Sequence, residues 1–110
     1  MRDTFPTPFT GSTAAAALAA LGNPMRLIAF RHIAAAARGL NVGELQALLG
    51  MPASTLNHHL GILVCSGLVR QTRHGREIRN TLEAERLHEL AVFLEEMTVL
   101  PGAQCELPNI

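Results

Sequence analysis

Residues 39–69, "GLNVGELQALLGMPASTLNHHLGILVCSGLV", decide the fold of this chain. Asn41 stands three residues before Glu44, which is the spacing of a capping box and predicts the start of a short helix. Gly50 is suited to end that helix, and Pro52 to open another over about residues 53–66. Because only Gly50-Met51-Pro52 joins the two helices, the stretch predicts a tight helix-turn-helix.

The flanking residues predict three more helices and a hairpin. Ser12 or Thr13 is expected to cap a first helix ending at Leu21, and Asn23-Pro24 opens a second that ends near residues 38–39. Strands are expected over residues 68–72 and 76–82, with a His74-Gly75 turn, and a last helix over about 83–99. The predicted fold class is mainly α with a small β-hairpin: a winged helix-turn-helix of about five helices and a two-stranded wing.

Apolar residues at helical spacing predict the core. From the first helix to the last, they are Leu18 and Leu21; Leu27, Ile28, Phe30, Ile33 and Ala34; Leu45, Leu48 and Leu49; Leu56, Leu60, Leu63 and Val64; and Leu87, Leu90, Ala91, Leu94 and Met97. In the second strand, Ile78 and Leu82 are expected on one face and Glu77, Arg79 and Thr81 on the other.

The length of 110 residues predicts one domain, expected over residues 12–100, with a flexible arm at 1–11 and a short tail at 101–110. Nine basic residues balance nine acidic ones, so the whole molecule carries no net attraction for nucleic acid or membrane. The charge is uneven, however. Residues 66–82 hold four arginines and one glutamate, a net of +3, and residues 83–96 hold five glutamates and one arginine, a net of −4.

The expected compartment is the cytoplasm. Two cysteines, Cys65 and Cys105, are too few for a disulfide framework. We find no apolar run of the roughly 18–20 residues that a membrane span needs, so we expect no membrane partner.

The adjacent histidines of the fourth helix diverge by about 100°. His58 falls on the outer face with Ser54, whereas His59 lies at the edge of the core, where it is able to brace the helix. A shared metal is therefore disfavoured, since a helical pair of ligands prefers i,i+4 spacing. No nucleophile or carboxylate nearby supports catalysis, and no Gly-rich cofactor loop is present, so we do not expect an enzyme. Exposed Ser, Thr, Asn and His at the start of the second helix of a helix-turn-helix are suited to DNA contact.

Three segments, "LAALGNPMRLIAFRHI", "GLNVGELQALLGMPASTLNHHLGILVCSGLV" and "RHGREI", resemble the ArsR family of bacterial winged-helix repressors. The resemblance covers about residues 14–97. It implies a homodimer, paired through the first and last helices, that binds a double-stranded DNA operator and leaves it when an inducer binds. The positions that read DNA in the family match Ser54, Thr55, Asn57, His58 and His59, and the basic wing positions match Arg73, His74 and Arg76. Arg70 and Arg79 flank the wing and are either phosphate contacts or solvated surface residues.

Two positions depart from the family pattern. Gly61 stands where many relatives carry a lysine, and it costs the helix about 1 kcal/mol relative to alanine. The second wing strand lacks the aromatic residue that many relatives place there.

The inducer is not evident from the sequence. The family's Cys-x-Cys pair, its complete zinc ligand set and its paired-thiol positions are all missing. The closest resemblance is to the subgroup of arsenic sensors with C-terminal cysteines, but Thr98-Val99 occupies the place of the cysteine pair. No cofactor is assigned, and a metal, a metalloid or thiol oxidation remains open as the inducing signal. Cys65 is either a small tolerated side chain or, with Cys105, a thiol switch. The alternative function is a winged-helix module for protein–protein contact without operator binding.

Overall fold

A computed structural model describes residues 9–98, and its fold class is the predicted one. Within these residues, the elements are five helices and one two-stranded antiparallel sheet. In chain order the elements are α1 (Gly11–Leu21), α2 (Pro24–Ala35), α3 (Val42–Leu49), α4 (Ala53–Cys65), β1 (Val69–His74), β2 (Glu77–Leu82) and α5 (Ala84–Glu96). Most of the predicted arm and all of the predicted tail fall outside the described residues, so the domain boundaries remain a prediction.

Side-chain caps fix the starts of the first three helices. The Asn23 side chain accepts a hydrogen bond from the Arg26 amide, and Asn41 and Glu44 form both bonds of the predicted capping box. The predicted start of α1 was wrong, because the side chain of Thr10 accepts from the amide of Thr13 and the helix begins at Gly11. At its other end, α2 stops at Ala35, earlier than predicted.

The core is centred on leucines of α3 and α4 and on Ile33 of α2. Fully buried apolar side chains are those of Ile33, Leu45, Leu56, Leu60, Leu63 and Leu68. α1 packs through Ala14, Ala17 and Ala20, whose small side chains permit a close approach to its neighbours.

Several residues predicted for the core are exposed instead. These are Leu18, Leu27, Ile28, Leu48, Ile78, Leu94 and Met97, each at least 37% exposed. In α1 and α2 the predicted pattern counted mainly large side chains, whereas the buried stripes of these two helices also run through alanines such as Ala17 and Ala29.

The predicted position of the hairpin turn was wrong by one residue. His74 pairs with Glu77, so the two-residue loop is Gly75-Arg76 rather than His74-Gly75, and β1 extends to His74. Gly75 has φ +66°, a left-handed conformation typical of such short hairpin loops. The turn is thus set by the position of the glycine within the loop.

Asn80, in the middle of β2, anchors the wing to the helical body. Its side chain is fully buried, donates to the Leu40 carbonyl at 3.0 Å and accepts from the Gln71 side chain at 2.9 Å. Its backbone also exchanges hydrogen bonds with Leu40 in an isolated bridge. The base of the wing is therefore fixed to the segment between α2 and α3.

No single helix within residues 9–98 is long and apolar enough to cross a membrane; α1 and α2 together have the length and composition, but they bend by 101° at the break between them.

Candidate nucleic-acid interface

The helix-turn-helix is formed by α3, Gly50-Met51-Pro52 and α4. Gly50 ends α3 in a left-handed conformation with φ +71°, and its amide donates to the carbonyl of Gln46. No side chain caps the start of α4, whose N-cap is Pro52. The first-turn amides of α4 therefore lack a side-chain acceptor, and a helix terminus of this kind favours phosphate.

α4 divides into two faces, as its sequence predicts. Leu56, Leu60 and Leu63 are at most 1% exposed and hold the helix on the core. Ser54 and His58 lie on the opposite side with Thr55 beside them, Asn57 lies nearer the edge of the core as its spacing predicts, and all four are exposed. Within residues 9–98, none of these four side chains makes a hydrogen bond to the rest of the protein, so their donors and acceptors are open to a ligand.

His59 has a different position from the other four predicted DNA contacts. Its side chain is only 8% exposed, and its Nδ1 accepts a hydrogen bond of 3.4 Å from Nε of Arg26 on α2. Burial lowers the pKa of His59, and the charges of Arg26 and His58 lower it further. This geometry fits the bracing role more closely than contact with a base.

The wing tip carries exposed basic side chains. Arg73 and His74 lie at the end of β1, and Arg76 lies in the loop. No carboxylate within the described range forms an ion pair with Arg73 or Arg76, so both guanidinium groups are available to phosphate.

Arg70 and Arg79, each predicted as either a phosphate contact or a solvated surface residue, form ion pairs within the protein, and Arg70 is also exposed. Arg70 bonds to Glu83 at 2.7 Å. Arg79 donates to the carbonyls of Arg38 and Gly39, at 2.9 Å and 2.8 Å, and also pairs with glutamates. These bonds tie the wing to the start of α3 and α5.

Arg79 forms its ion pairs with Glu77 and Glu44. The hydrogen bond from Arg79 lowers the pKa of the Glu77 carboxyl, and the same bond raises the pKa of Arg79. Arg79 therefore has a role in positioning the wing.

The predicted thiols are only partly described. Cys65 is free and exposed near the end of α4, whereas Cys105 lies outside the described residues. Within residues 9–98, no group of three or more His, Cys, Asp or Glu side chains is placed to hold a metal ion.

Two residues that support this surface were missed from the sequence. Asn80 occupies the same strand face as Ile78 and Leu82, and this spacing was a usable signal for a buried polar residue. The role of Arg26 could not be predicted from neighbouring residues, because its hydrogen-bond partner His59 is 33 residues away in the chain.

Comparison with known proteins agrees with this geometry. A family model described as a helix-turn-helix domain matches residues 21–72, from the end of α1 into β1. No curated protein matches the chain significantly. Among solved structures, an ArsR-like transcriptional regulator from Rhodococcus sp. RHA1 superposes with a TM-score of 0.71 at 26% identity, covering 79% of this chain and 80% of the other.

Two further solved structures are similar. The transcriptional repressor BigR from Xylella fastidiosa has a TM-score of 0.61 at 28% identity, covering 77% of this chain and 86% of its own. NolR from Sinorhizobium fredii has a TM-score of 0.64 at 26% identity, covering 88% and 96%. With the element order and the helix-turn-helix match, these findings show a winged helix-turn-helix protein similar to the ArsR family, whose members are DNA-binding transcriptional regulators and not enzymes.

Proposed function

We propose that this chain is a cytoplasmic, homodimeric repressor that binds an operator in double-stranded DNA and is released by an inducer. The observation that carries the proposal is the set of unpaired polar groups on two elements. The outer face of α4 and the tip of the wing both present exposed side chains that form no hydrogen bond or ion pair within residues 9–98. In a winged helix these are the two elements that reach DNA.

The proposed contacts divide by chemistry. Ser54, Thr55, Asn57 and His58 offer short donors and acceptors to base edges in the major groove. Arg73, His74 and Arg76 offer cations to the backbone, where contacts position the protein without reading sequence. We leave His59 out of the reading set, because its burial and its bond to Arg26 hold it away from the surface.

The proposed dimer rests on apolar residues that the single chain does not cover. Leu18 of α1 is 42% exposed, Leu94 of α5 is 37% exposed, and Met97, the C-cap of α5, is 49% exposed. Contiguous helices with uncovered apolar side chains are suited to pairing with a second copy. Similarity to a protein named as a transcriptional repressor supports the direction of regulation.

The inducer is proposed only as a class: a metalloid, a metal ion or thiol oxidation. Cys65 is exposed on α4, close to the proposed reading face, so its oxidation or metallation would change the surface offered to DNA. The contribution of Cys105, outside the described residues, belongs to the same proposal.

The test is a DNA-binding titration on the region upstream of the gene, repeated at several salt concentrations. Affinity should fall as salt rises, with log K decreasing by about 0.9 per released phosphate counterion. Arg73→Ala and Arg76→Ala should each weaken binding to all sequences and reduce the slope by about 1. His58→Ala should instead lose roughly 1–3 kcal/mol of discrimination between operator and random DNA.

Arg31→Ala is the charge-matched control, since Arg31 is exposed and belongs to α2, outside the helix-turn-helix and the wing strands. An unchanged operator affinity is expected for this variant. A salt-independent signal, or equal losses in all four variants, would contradict the assignment and favour a protein–protein role. Adding arsenite, zinc, cadmium, copper or an oxidant to wild type and to Cys65→Ser and Cys105→Ser separates the inducer classes.

A further inference from the structure

A groove of about 680 Å³ runs between α1 and the outer side of α4. Its walls are made of small or apolar side chains, chiefly Ala16 and Ala19 on α1 and Gly61 and Ile62 on α4. A Cβ added at Gly61 would meet nothing within 4 Å, so a larger side chain at this position would project into open space. The volume lies within the range of about 300–1,000 Å³ that is typical of small-molecule sites.

One end of the groove is cationic. Arg26 is the one lining residue among those described that carries a full charge at neutral pH. Its guanidinium donates to His59 at 3.4 Å and to the Ala20 carbonyl at 3.0 Å. A guanidinium has five N–H donors, and no carboxylate within residues 9–98 pairs with this one. Arg26 therefore retains both charge and donors for an anion.

We propose that this groove binds a small organic acid with a flat, apolar body. The carboxylate would pair with Arg26, and the body would lie over Ala16, Ala19 and Gly61. The apolar walls favour a hydrocarbon or aromatic body over a sugar or a nucleotide, because those would leave polar groups desolvated and unpaired. The positive end selects an acid over its neutral analogue.

The same groove is lined by Asn57 and His58, which belong to the proposed base-reading face. An occupant therefore lies against side chains that DNA would use, so acid and operator should compete. This last step rests on the proposed function, whereas acid binding to the DNA-free protein does not.

The first experiment titrates the full chain, without DNA, with 2-naphthoate and with its uncharged isostere 2-naphthamide. Amide chemical shifts by NMR report both the affinity and the place of binding. Shifts should concentrate on α1, Arg26 and the second half of α4, and the amide should bind at least about tenfold more weakly. Equal affinities, shifts elsewhere, or displacement by equimolar inorganic phosphate would overturn the proposal.

Gly61→Leu and Gly61→Ala form a matched pair for the site itself. Both replace a helical glycine at a position with open space, so both should fold at least as stably as wild type. Gly61→Ala should bind naphthoate like wild type, while the leucine fills the groove and should weaken binding about tenfold or more. Equal binding by the two variants would overturn the site. If Gly61→Leu has a lower melting temperature than Gly61→Ala, Ala16→Leu is used in its place. This variant fills the groove from the α1 side and should likewise weaken naphthoate binding about tenfold or more.

The last arm measures competition with the upstream DNA. Naphthoate should weaken operator binding by wild type and Gly61→Ala, but not by Gly61→Leu. If naphthoate binds but DNA affinity does not change, the proposed competition is wrong, whereas the proposed acid-binding site still stands. Absence of any DNA binding would overturn the proposed function instead, and the two failures are thus distinct.

Discussion

His58 and His59 are neighbours in the chain, yet they have opposite surroundings. His58 is exposed, whereas His59 is buried and accepts a hydrogen bond from Arg26 at Nδ1. A neutral imidazole that accepts at Nδ1 carries its proton on Nε2. Protonation of Nδ1 would break this bond and set two cations side by side, which is why the folded protein favours neutral His59.

Acidification should therefore destabilise the fold through His59. Its folded pKa lies below the ordinary value of about 6.5, so in the interval between them the unfolded chain binds more protons. The stabilisation is fully present above about pH 6.5 and is lost as pH falls toward the folded pKa. Urea unfolding at about pH 7.5 and about pH 5.5 should show this loss in wild type and in His58→Gln, but a smaller one in His59→Gln. Identical losses in both variants would contradict the assignment.

At the residue scale, the sequence predicted well where one helix sets the geometry. The outward side of α4 followed from 100° steps alone, and so did the divergence of the two histidines. Hydrogen bonds between residues distant in the chain could not be predicted in this way. Arg79, for example, donates to the carbonyls of Arg38 and Gly39, which are 41 and 40 residues away. Such bonds depend on how elements pack together, and a local pattern holds no record of that packing.

Between elements, the α2–α3 segment lies very close to β2 at Gly39. Gly39 has φ +71°, and a Cβ there would lie 2.5 Å from Thr81 Cγ2 and closer still to the Asn80 carbonyl oxygen. Gly50 has the same φ of +71°, but open space where its Cβ would be. Substitution at Gly50 therefore tests the backbone conformation alone, whereas substitution at Gly39 tests the same conformation together with a steric clash.

Gly39→Ala should destabilise the protein much more than Gly50→Ala. The left-handed conformation should cost either alanine about 1 kcal/mol or slightly more. At Gly39 the clash with β2 adds at least about 2 kcal/mol, within the range for overpacking. Chemical denaturation of the two variants measures the difference. Equal losses of unfolding free energy would show that the wing shifts away at little cost.

Element boundaries were predictable where a cap carries a side-chain signal. The Asn41–Glu44 capping box and the Gly50 stop were both confirmed. The end of α2 and the hairpin turn were displaced by a few residues, because several neighbouring positions offer similar local preferences. In the hairpin, six residues of β1 pair with six residues of β2, and these pairs together determine the register. Neither strand's own sequence is sufficient to predict the position of the turn.

For the whole molecule, uncovered apolar side chains on α1 and α5 are the main basis of the proposed homodimer. Leu94→Glu should weaken the dimer at least about tenfold, since a charge would be buried without a partner. Leu48→Glu is the matched control, because Leu48 is 54% exposed but lies on α3. Sedimentation velocity at micromolar concentration should show dimers for wild type and Leu48→Glu and monomers for Leu94→Glu. Wild type that sediments only as a monomer would refute the dimer.

The two-faced character of α4 has a consequence for how this regulator can change its target. Leu56, Leu60 and Leu63 hold the helix in place, while the four outward side chains make no hydrogen bonds within residues 9–98. A library randomised at Ser54, Thr55, Asn57 and His58 should therefore yield mostly folded proteins with altered operator preference. The DNA sequence preference of this protein should therefore be able to change with almost no loss of folding stability.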